Sequence, residues 1–156
     1  MMKRKKIVLL VFVFLFILFA LFVVKEYSRK IEPVKNSKPD VEITAEQLIK
    51  EFEDNDSLPA KKYSGKLIAV SGVMKQVDKD DQGFLTLVLG NANSMSSVRC
   101  AMDSLFASEV TSLHQGESAT VKGMFTGYHK DETGLLGSDI ILNRCVIASD
   151  LKNKPD

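Results

Sequence analysis

Residues 66–91, "KLIAVSGVMKQVDKDDQGFLTLVLGN", decide the fold predicted for this chain. The first half of this stretch is rich in aliphatic and β-branched residues, "DKDDQG" at 78–83 is typical of a turn, and residues 84–91 alternate leucine with other side chains. Two such segments joined by a turn that contains glycine predict a β-hairpin.

Three more predicted strands follow the hairpin, at residues 97–102, 118–128 and 139–148. Residues 103–116 break the alternation with an apolar stripe at helical spacing, so we predict a helix there. A leading amphipathic helix, with Thr44 as its N-cap, precedes the hairpin. Five strands with a helix between the third and fourth are typical of a mainly β, five-stranded Greek-key barrel of the oligonucleotide- and oligosaccharide-binding type, the OB-fold.

Two glycines interrupt predicted strands in similar contexts, Gly72 in "AVSGVMKQV" and Gly123 in "ATVKGMF". Glycine inside a strand marks a bulge, a bend, or a close approach of backbone or ligand. The first strand of such a barrel must curve to pair on both of its sides, and the fourth lies beside it. We therefore interpret Gly72 and Gly123 as bends and not as ligand contacts.

The amino-terminal part of the chain is unlike the rest. Residues 7–24 are 18 consecutive apolar residues, and a helix of that length reaches about 27 Å, close to the thickness of a bilayer's hydrocarbon core. No small-residue cleavage site follows, so we predict a transmembrane signal anchor, with a cleaved signal peptide as the alternative. The basic flank 1–6 favours a cytoplasmic amino terminus, which places the later residues on the periplasmic side of the inner membrane.

Charge distinguishes the remaining segments. Residues 25–43 combine charged residues with two prolines and no apolar period, which predicts a polar linker. The predicted barrel domain spans residues 44–150, and residues 151–156 form a tail.

Between Asp40 and Asp150 the chain has ten Lys and Arg against seventeen Asp and Glu, a net charge of −7. This acidity disfavours nucleic acid as the partner, because phosphate binding depends on Lys and Arg.

The two cysteines of the chain, Cys100 and Cys145, fall late in the third and fifth predicted strands, which are neighbours in this topology. In an extracytoplasmic domain this placement permits a structural disulfide, which is our prediction. Two buried free thiols acting as small apolar side chains are the alternative.

Several segments occur in an order that is unusual for unrelated chains. "AKKYSGKLIAVSGVM" is followed by "VRCAM", then "LHQGESATVKGMFTG", and finally "DIILNRCVI". Over residues 44–148 this order resembles the bacterial OB-fold proteins of the tRNA_anti-like family. The resemblance implies a small secreted or membrane-attached barrel without an assigned activity. The family label refers to the anticodon-binding barrel of tRNA ligases, and similarity of fold alone does not carry function.

Ligands of OB-folds commonly lie across the second and third strands and between two loops, the one joining strands one and two and the one joining strands four and five. Phe84 and Tyr128 border these loops and have rings that can stack on bases or sugars. Lys75 and Arg99 are the candidate cationic contacts. We predict these four as ligand-binding residues; ordinary packing of the aromatic rings and a solvated surface around Arg99 are the alternatives.

Motifs for metal binding and catalysis are weak in this sequence. "DKDDQG" has acidic residues at calcium-loop spacing, but Leu89 stands where a bidentate Glu is needed, so we predict a turn and no metal site. His114 and His129 have no partner at metal or triad spacing, and we find no phosphate-binding glycine loop. We expect a protein that is not an enzyme and needs no cofactor.

These features predict a non-catalytic, membrane-anchored, extracytoplasmic OB-fold module that binds an envelope protein or glycan. A single-stranded or tRNA-like nucleic acid is the alternative ligand, and a purely structural spacer is the third interpretation. The ligand itself is not specified by any motif in the chain.

Overall fold

The computed structural model describes residues 34–133 and 137–148, together with Phe19. Within these residues, six strands form one sheet: β1 (Val41–Thr44), β2 (Leu67–Lys79), β3 (Leu85–Leu89), β4 (Ser97–Met102), β5 (Ser118–His129) and β6 (Asp139–Ile147). Helices α1 (Ala45–Asp54) and α2 (Ser57–Tyr63) lie between β1 and β2, and two 3₁₀ helices span Val34–Asn36 and Ala107–Ser112.

Strand pairing closes the sheet into a barrel. The order is β2, β3, β4, β6 and β5, and β5 returns to pair with β2. β2 makes this closure possible because its residues 67–73 pair with β5 while residues 74–79 pair with β3. β1 joins outside the barrel as a parallel partner of the first half of β2. The fold is therefore mainly β, a closed five-stranded barrel with a few helices.

The predicted elements of the barrel are confirmed, each strand within two residues of its expected ends. α1 begins after Thr44, whose hydroxyl accepts a hydrogen bond from the Gln47 amide at 3.2 Å, as an N-cap does. Leu48 and Phe52 on the buried face of α1 join the main core. α2, which follows almost at once, was not predicted.

The linker prediction for residues 25–43 is wrong over its last ten residues, 34–43, which belong to the barrel unit. Val34 is 6% exposed and belongs to a small apolar cluster separate from the main core. Val41 and Ile43 pack against the main core from β1. Val41 and Ile43 alternate with polar residues at strand spacing, and β1 pairs with the edge that the first half of β2 leaves open.

The predicted transmembrane segment 7–24 lies outside the described residues, Phe19 excepted, as do residues 1–6, 25–33 and 151–156. By compactness the chain divides into residues 1–32 and a unit from residue 33 onward that contains the barrel. In the part of the chain that the structure describes, no helix has the length and apolar character needed to cross a membrane.

The helix predicted at 103–116 is a shorter 3₁₀ helix, Ala107–Ser112. The hydroxyls of Thr111 and Ser112 donate to carbonyl oxygens three residues earlier, at 2.7 and 2.8 Å. Such local side-chain bonds compete with α-helical hydrogen bonding and explain the tighter turn. Val110 keeps the role that the apolar stripe predicts, because it is completely buried in the main core.

Both glycines interpreted as bends are also sites of very close packing. A Cβ atom on Gly123 would lie 2.5 Å from the Cys145 sulfur and 3.1 Å from the Leu142 Cβ, and one on Gly72 would lie 2.8 Å from the Ala45 Cβ. Neither glycine has a positive φ angle. The β5–β6 register shifts at Gly123, whereas the shift between β2 and β3 falls beyond Gly72. Absence of a side chain is therefore required at both positions, whether or not the strand bends.

Cys100 and Cys145 are free, completely buried thiols in the structure, so the predicted disulfide is not formed there. β4 and β6 are neighbours as expected; in their register Cys100 lies opposite Leu142 and Cys145 opposite Met102, and the two thiols are close enough to hydrogen-bond. Burial, with a smaller contribution from the Cys100 thiol, raises the pKa of Cys145 well above its usual value. Both cysteines thus match the alternative of small apolar side chains.

Candidate functional site

The tip of the β2–β3 hairpin presents an exposed aromatic ring on a well-fixed turn. One carboxylate oxygen of Asp80 accepts hydrogen bonds from the amides of Gln82 and Phe84, at 2.9 and 2.8 Å. Gly83 completes the turn with a φ of 89°, a conformation that favours glycine. The Phe84 side chain remains 53% exposed. The turn prediction for "DKDDQG" is confirmed, and the Asp80 carboxylate is engaged by backbone amides.

The outer surface of β2, β4 and β6 carries a chain of polar contacts centred on Arg99. The Arg99 guanidinium lies 2.7 Å from a carboxylate oxygen of Asp78 and 4.0 Å from one of Asp139. Gln76 donates to the other Asp78 oxygen at 2.8 Å. Val88, between Gln76 and Arg99 in the register, is only 2% exposed. We call Gln76, Asp78, Arg99 and Asp139 the Arg99 face.

The charge of the Arg99 face is negative, because one guanidinium stands between two carboxylates. The adjoining loops add more acidic residues, Asp80 and Asp81 on one side and Asp131 and Glu132 on the other. A guanidinium paired with a carboxylate has its directed donors already engaged. The face therefore offers little net attraction for a phosphate backbone, which requires several unneutralised cations.

Lys75, the second predicted cation, is a structural residue of the barrel. Its ammonium donates to the carbonyl of Ser94 at 2.7 Å and to the hydroxyl of Ser97 at 3.1 Å. The same loop is tied to α1, because the Ser96 hydroxyl donates to Glu53 at 2.7 Å. Lys75 thus fixes the β3–β4 loop.

Tyr128, the second predicted aromatic, packs against α1 with its ring centroid 4.8 Å from that of Phe52. It also borders a groove of about 550 Å³ between α2 and the end of β5. Gly127 leaves this groove open, since a Cβ there would meet nothing within 4 Å. An ion pair of 3.6 Å between Lys130 and Asp56 lies at the groove. Tyr128 therefore has both a packing role and an accessible edge.

The four predicted ligand-binding residues divide into two groups. Phe84 and Arg99 belong to the same side of the barrel, since Asp78, the partner of Arg99, lies at the base of the turn that carries Phe84. Lys75 and Tyr128 bind or pack against other parts of the domain. Sequence reasoning missed the two carboxylates of the Arg99 face, although the outward position of Arg99 in its strand was readable from the alternation.

A second groove, of about 610 Å³, was also missed by sequence reasoning. Gly72 lines it together with the hydroxyls of Ser71 and Thr120, which lie 2.9 Å apart, and with Val73, which is 39% exposed. The walls come from β2, β5 and the start of α1, which are distant in sequence. Among the described residues, no group of three or more His, Cys, Asp or Glu side chains could hold a metal ion.

A closed five-stranded barrel of this strand order, with a helix at one end, defines an OB-fold. The model of the tRNA_anti-like family matches residues 1–139, and the chain belongs to this family. No curated protein sequence matches the chain.

The solved structures that resemble the chain are distant from it in sequence. A lipoprotein of Klebsiella pneumoniae with a proposed nucleic-acid-binding function has a TM-score of 0.53 at 18% identity, covering 68% of this chain and 91% of that one. The asparaginyl-tRNA synthetase of Entamoeba histolytica has a TM-score of 0.42 at 16% identity, covering 76% of this chain and 27% of the synthetase. The Stn1–Ten1 complex of S. pombe has a TM-score of 0.38 at 15% identity, covering 56% and 61%. The likeness to the lipoprotein concerns the fold alone.

Proposed function

We propose that this protein is a non-catalytic, membrane-anchored OB-fold module that binds an envelope protein or glycan through the tip of its β2–β3 hairpin and the Arg99 face. The observation that carries the proposal is the bracketing of Arg99 by Asp78 and Asp139, at 2.7 and 4.0 Å, beside an aromatic ring that is 53% exposed at Phe84.

The chemistry of this surface suits a ligand without a dense negative charge. An exposed aromatic side chain on a rigid turn can anchor a protein partner or stack on a sugar ring. The paired charges around it form a polar rim that supplies orientation and little net attraction. Neither feature requires a reacting group, which is why we propose binding without catalysis.

Anchoring is the part of the proposal that rests on the apolar residues 7–24 and the basic flank 1–6. The side of the membrane can be tested with one engineered cysteine. Ser57→Cys would place a thiol at the start of α2, while the two native thiols are completely buried. We expect a membrane-impermeant maleimide to label Ser57→Cys in intact cells from outside the inner membrane; labelling only after lysis would overturn the extracytoplasmic location.

Photo-crosslinking in the native membrane tests the ligand. A photoreactive amino acid at Phe84 should give a discrete adduct, whose mass and sensitivity to protease or glycosidase identify it as protein or glycan. The matched control is the same amino acid at Leu105, which is 81% exposed and lies outside the proposed surface. Equal adducts at both positions, or none at Phe84, would contradict the proposal.

Nucleic acid is the second candidate, favoured by the fold shared with the Klebsiella pneumoniae lipoprotein, which has a proposed nucleic-acid-binding function. This candidate predicts that the Phe84 adduct is sensitive to nuclease. It also predicts an affinity for single strands that falls steeply as salt is raised.

A further inference from the structure

Residues 34–39 fold back onto the barrel and line an open pocket of about 420 Å³ against β5 and the end of β6. We call it the lysine pocket; its lining residues are Lys35, Asn36, Ser37, Lys38, Pro39, Lys122 and Ala148. Among the described lining residues, three are lysines and none is acidic. This composition contrasts with the net charge of −7 over residues 40–150.

Lys122 supplies a buried positive charge to this pocket. The residue is only 6% exposed, and its ammonium donates to the carbonyl oxygens of Lys35 at 2.7 Å and of Ser37 at 3.3 Å. Carbonyl dipoles satisfy hydrogen bonds but do not neutralise the charge. An anion that enters the pocket would therefore meet a cation that is largely shielded from water, where the attraction between charges is stronger.

Two carboxylates near residues 34–39 have partners of their own. Glu109 forms an ion pair with Lys35, whose ammonium also lies 4.6 Å from the centre of the Phe106 ring. The carboxylate of Asp40 accepts a hydrogen bond from the Leu67 amide at 2.9 Å. Asp40 keeps its negative charge although an amide donates to it, and Glu42 lies in the same register row as Lys122. Neither carboxylate is among the described lining residues, so Lys38 and Lys122 line the pocket with no carboxylate in its described lining.

We propose that the lysine pocket binds a phosphate group. The lysine side chains of its described lining match a compact anion with several acceptor oxygens. The pocket is separate from the Arg99 face, and the proposal does not depend on the function proposed for that face.

Two sources could supply such a group, a soluble phosphate ester or the headgroup of an anionic lipid. Residues 25–33 are the nine residues between the predicted membrane segment and Val34. Fully extended, nine residues reach about 30 Å. If residues 7–24 are inserted in a bilayer, a connection of this length permits contact between the pocket and anionic headgroups, which attract basic residues.

Phosphate binding is tested on the full chain in a neutral detergent and phosphate-free buffer. With the ¹⁵N-labelled protein, we expect saturable shifts of the Asn36, Ser37 and Lys38 amides on addition of inorganic phosphate. Because Lys38 is exposed, Lys38→Gln should leave the fold intact and weaken binding about fivefold. The matched control, Lys61→Gln on α2, should bind as the wild type does.

The second arm separates the two sources. The full chain is placed in lipid nanodiscs that contain either neutral or anionic lipid, and acetylation of Lys38 is measured relative to Lys61 by mass spectrometry. Protection of Lys38 only in anionic discs assigns the phosphate group to a headgroup; phosphate binding without such protection assigns it to a soluble ester. Absence of both responses, or equal weakening by Lys38→Gln and Lys61→Gln, would overturn the proposal.

Discussion

The Arg99 face and the lysine pocket both contain basic side chains, but those side chains have different partners. On the Arg99 face the guanidinium lies between two carboxylates, Asp78 at 2.7 Å and Asp139 at 4.0 Å. In the lysine pocket the ammonium of Lys122 contacts two carbonyl oxygens, and none of the lining residues that the structure describes is acidic. The first surface has its cation neutralised, whereas the second keeps positive charge in an acidic domain.

This difference shows that net charge is a poor guide to where an anion can bind. The barrel segment is acidic by composition. The surface on which OB-folds commonly bind ligands is acidic in this protein as well. The exception lies where residues 34–39, outside the predicted domain, meet β5. Whether a charged side chain is available to bind an anion depends on the residues around it, and the fold determines which residues those are.

The largest expected effect concerns the β5–β6 pairing, which supports both surfaces by carrying Lys122 at one end and Asp139 at the other. Gly123→Ala should lower the free energy of unfolding by about 3 kcal/mol, because the new Cβ would lie 2.5 Å from the Cys145 sulfur. Gly127→Ala on the same strand is the control, since its Cβ meets nothing within 4 Å. Denaturant unfolding should separate the two variants; equal stabilities would show that close packing does not require Gly123.

The next effect distinguishes a buried cation from an exposed one. Lys122→Met should reduce the unfolding free energy by about 2 kcal/mol, because two buried carbonyl oxygens lose their donor. Amide exchange should also become faster in residues 34–40, which the lysine holds against β5. Lys61→Met, at an exposed position on α2, should change neither measurement. If the Lys122→Met protein were as stable as the wild type, Lys122 would not be needed to hold residues 34–40 against β5.

Removing the two carboxylates of the Arg99 face should leave this face with an unneutralised cation, as in the lysine pocket. The double variant Asp78→Asn, Asp139→Asn leaves Arg99 without a neutralising partner. We expect it to strengthen low-salt binding of a short single-stranded oligonucleotide at the Arg99 face by roughly tenfold over the wild type. Binding is followed by the amide shifts of Arg99 and Phe84. No difference from the wild type would mean that the carboxylates do not govern the ligand preference of this face.

The smallest effect is expected for the ion pair itself. Arg99→Gln should change the unfolding free energy by less than about 1 kcal/mol, because the pair lies at a partly exposed surface where solvent weakens it. Urea denaturation of both proteins provides the measurement. A loss of several kcal/mol would show that Arg99 stabilises the barrel, and its role on the binding surface would need revision.

The barrel was predictable because its signals are local. Alternation in residues 84–91 and 97–102 predicts strands whose buried members, such as Leu87 and Cys100, do lie in the core. The Thr44 cap fixes the start of α1 in the same way. Such patterns depend on residues a few positions apart. They hold in the folded protein because each helix or strand buries one of its faces in the core.

The sites were less predictable because their contacts join distant segments. Lys75 has the sequence context of a surface cation, yet it binds the β3–β4 loop 19 and 22 residues away. Lys122 and Lys35 are 87 residues apart, and nothing local marks either as part of a pocket. Only tertiary structure shows which charges are paired and which remain available.

The central claim, that the Arg99 face is neutralised and the lysine pocket is not, can be tested in one titration. Full-length ¹⁵N-labelled protein in neutral detergent is titrated at low salt with a short single-stranded oligonucleotide and, separately, with inorganic phosphate. We predict that phosphate moves the amides of residues 36–38 and that neither ligand produces saturable shifts at Phe84 or Arg99. Saturable oligonucleotide shifts at Phe84 and Arg99 that weaken steeply with salt would contradict the account.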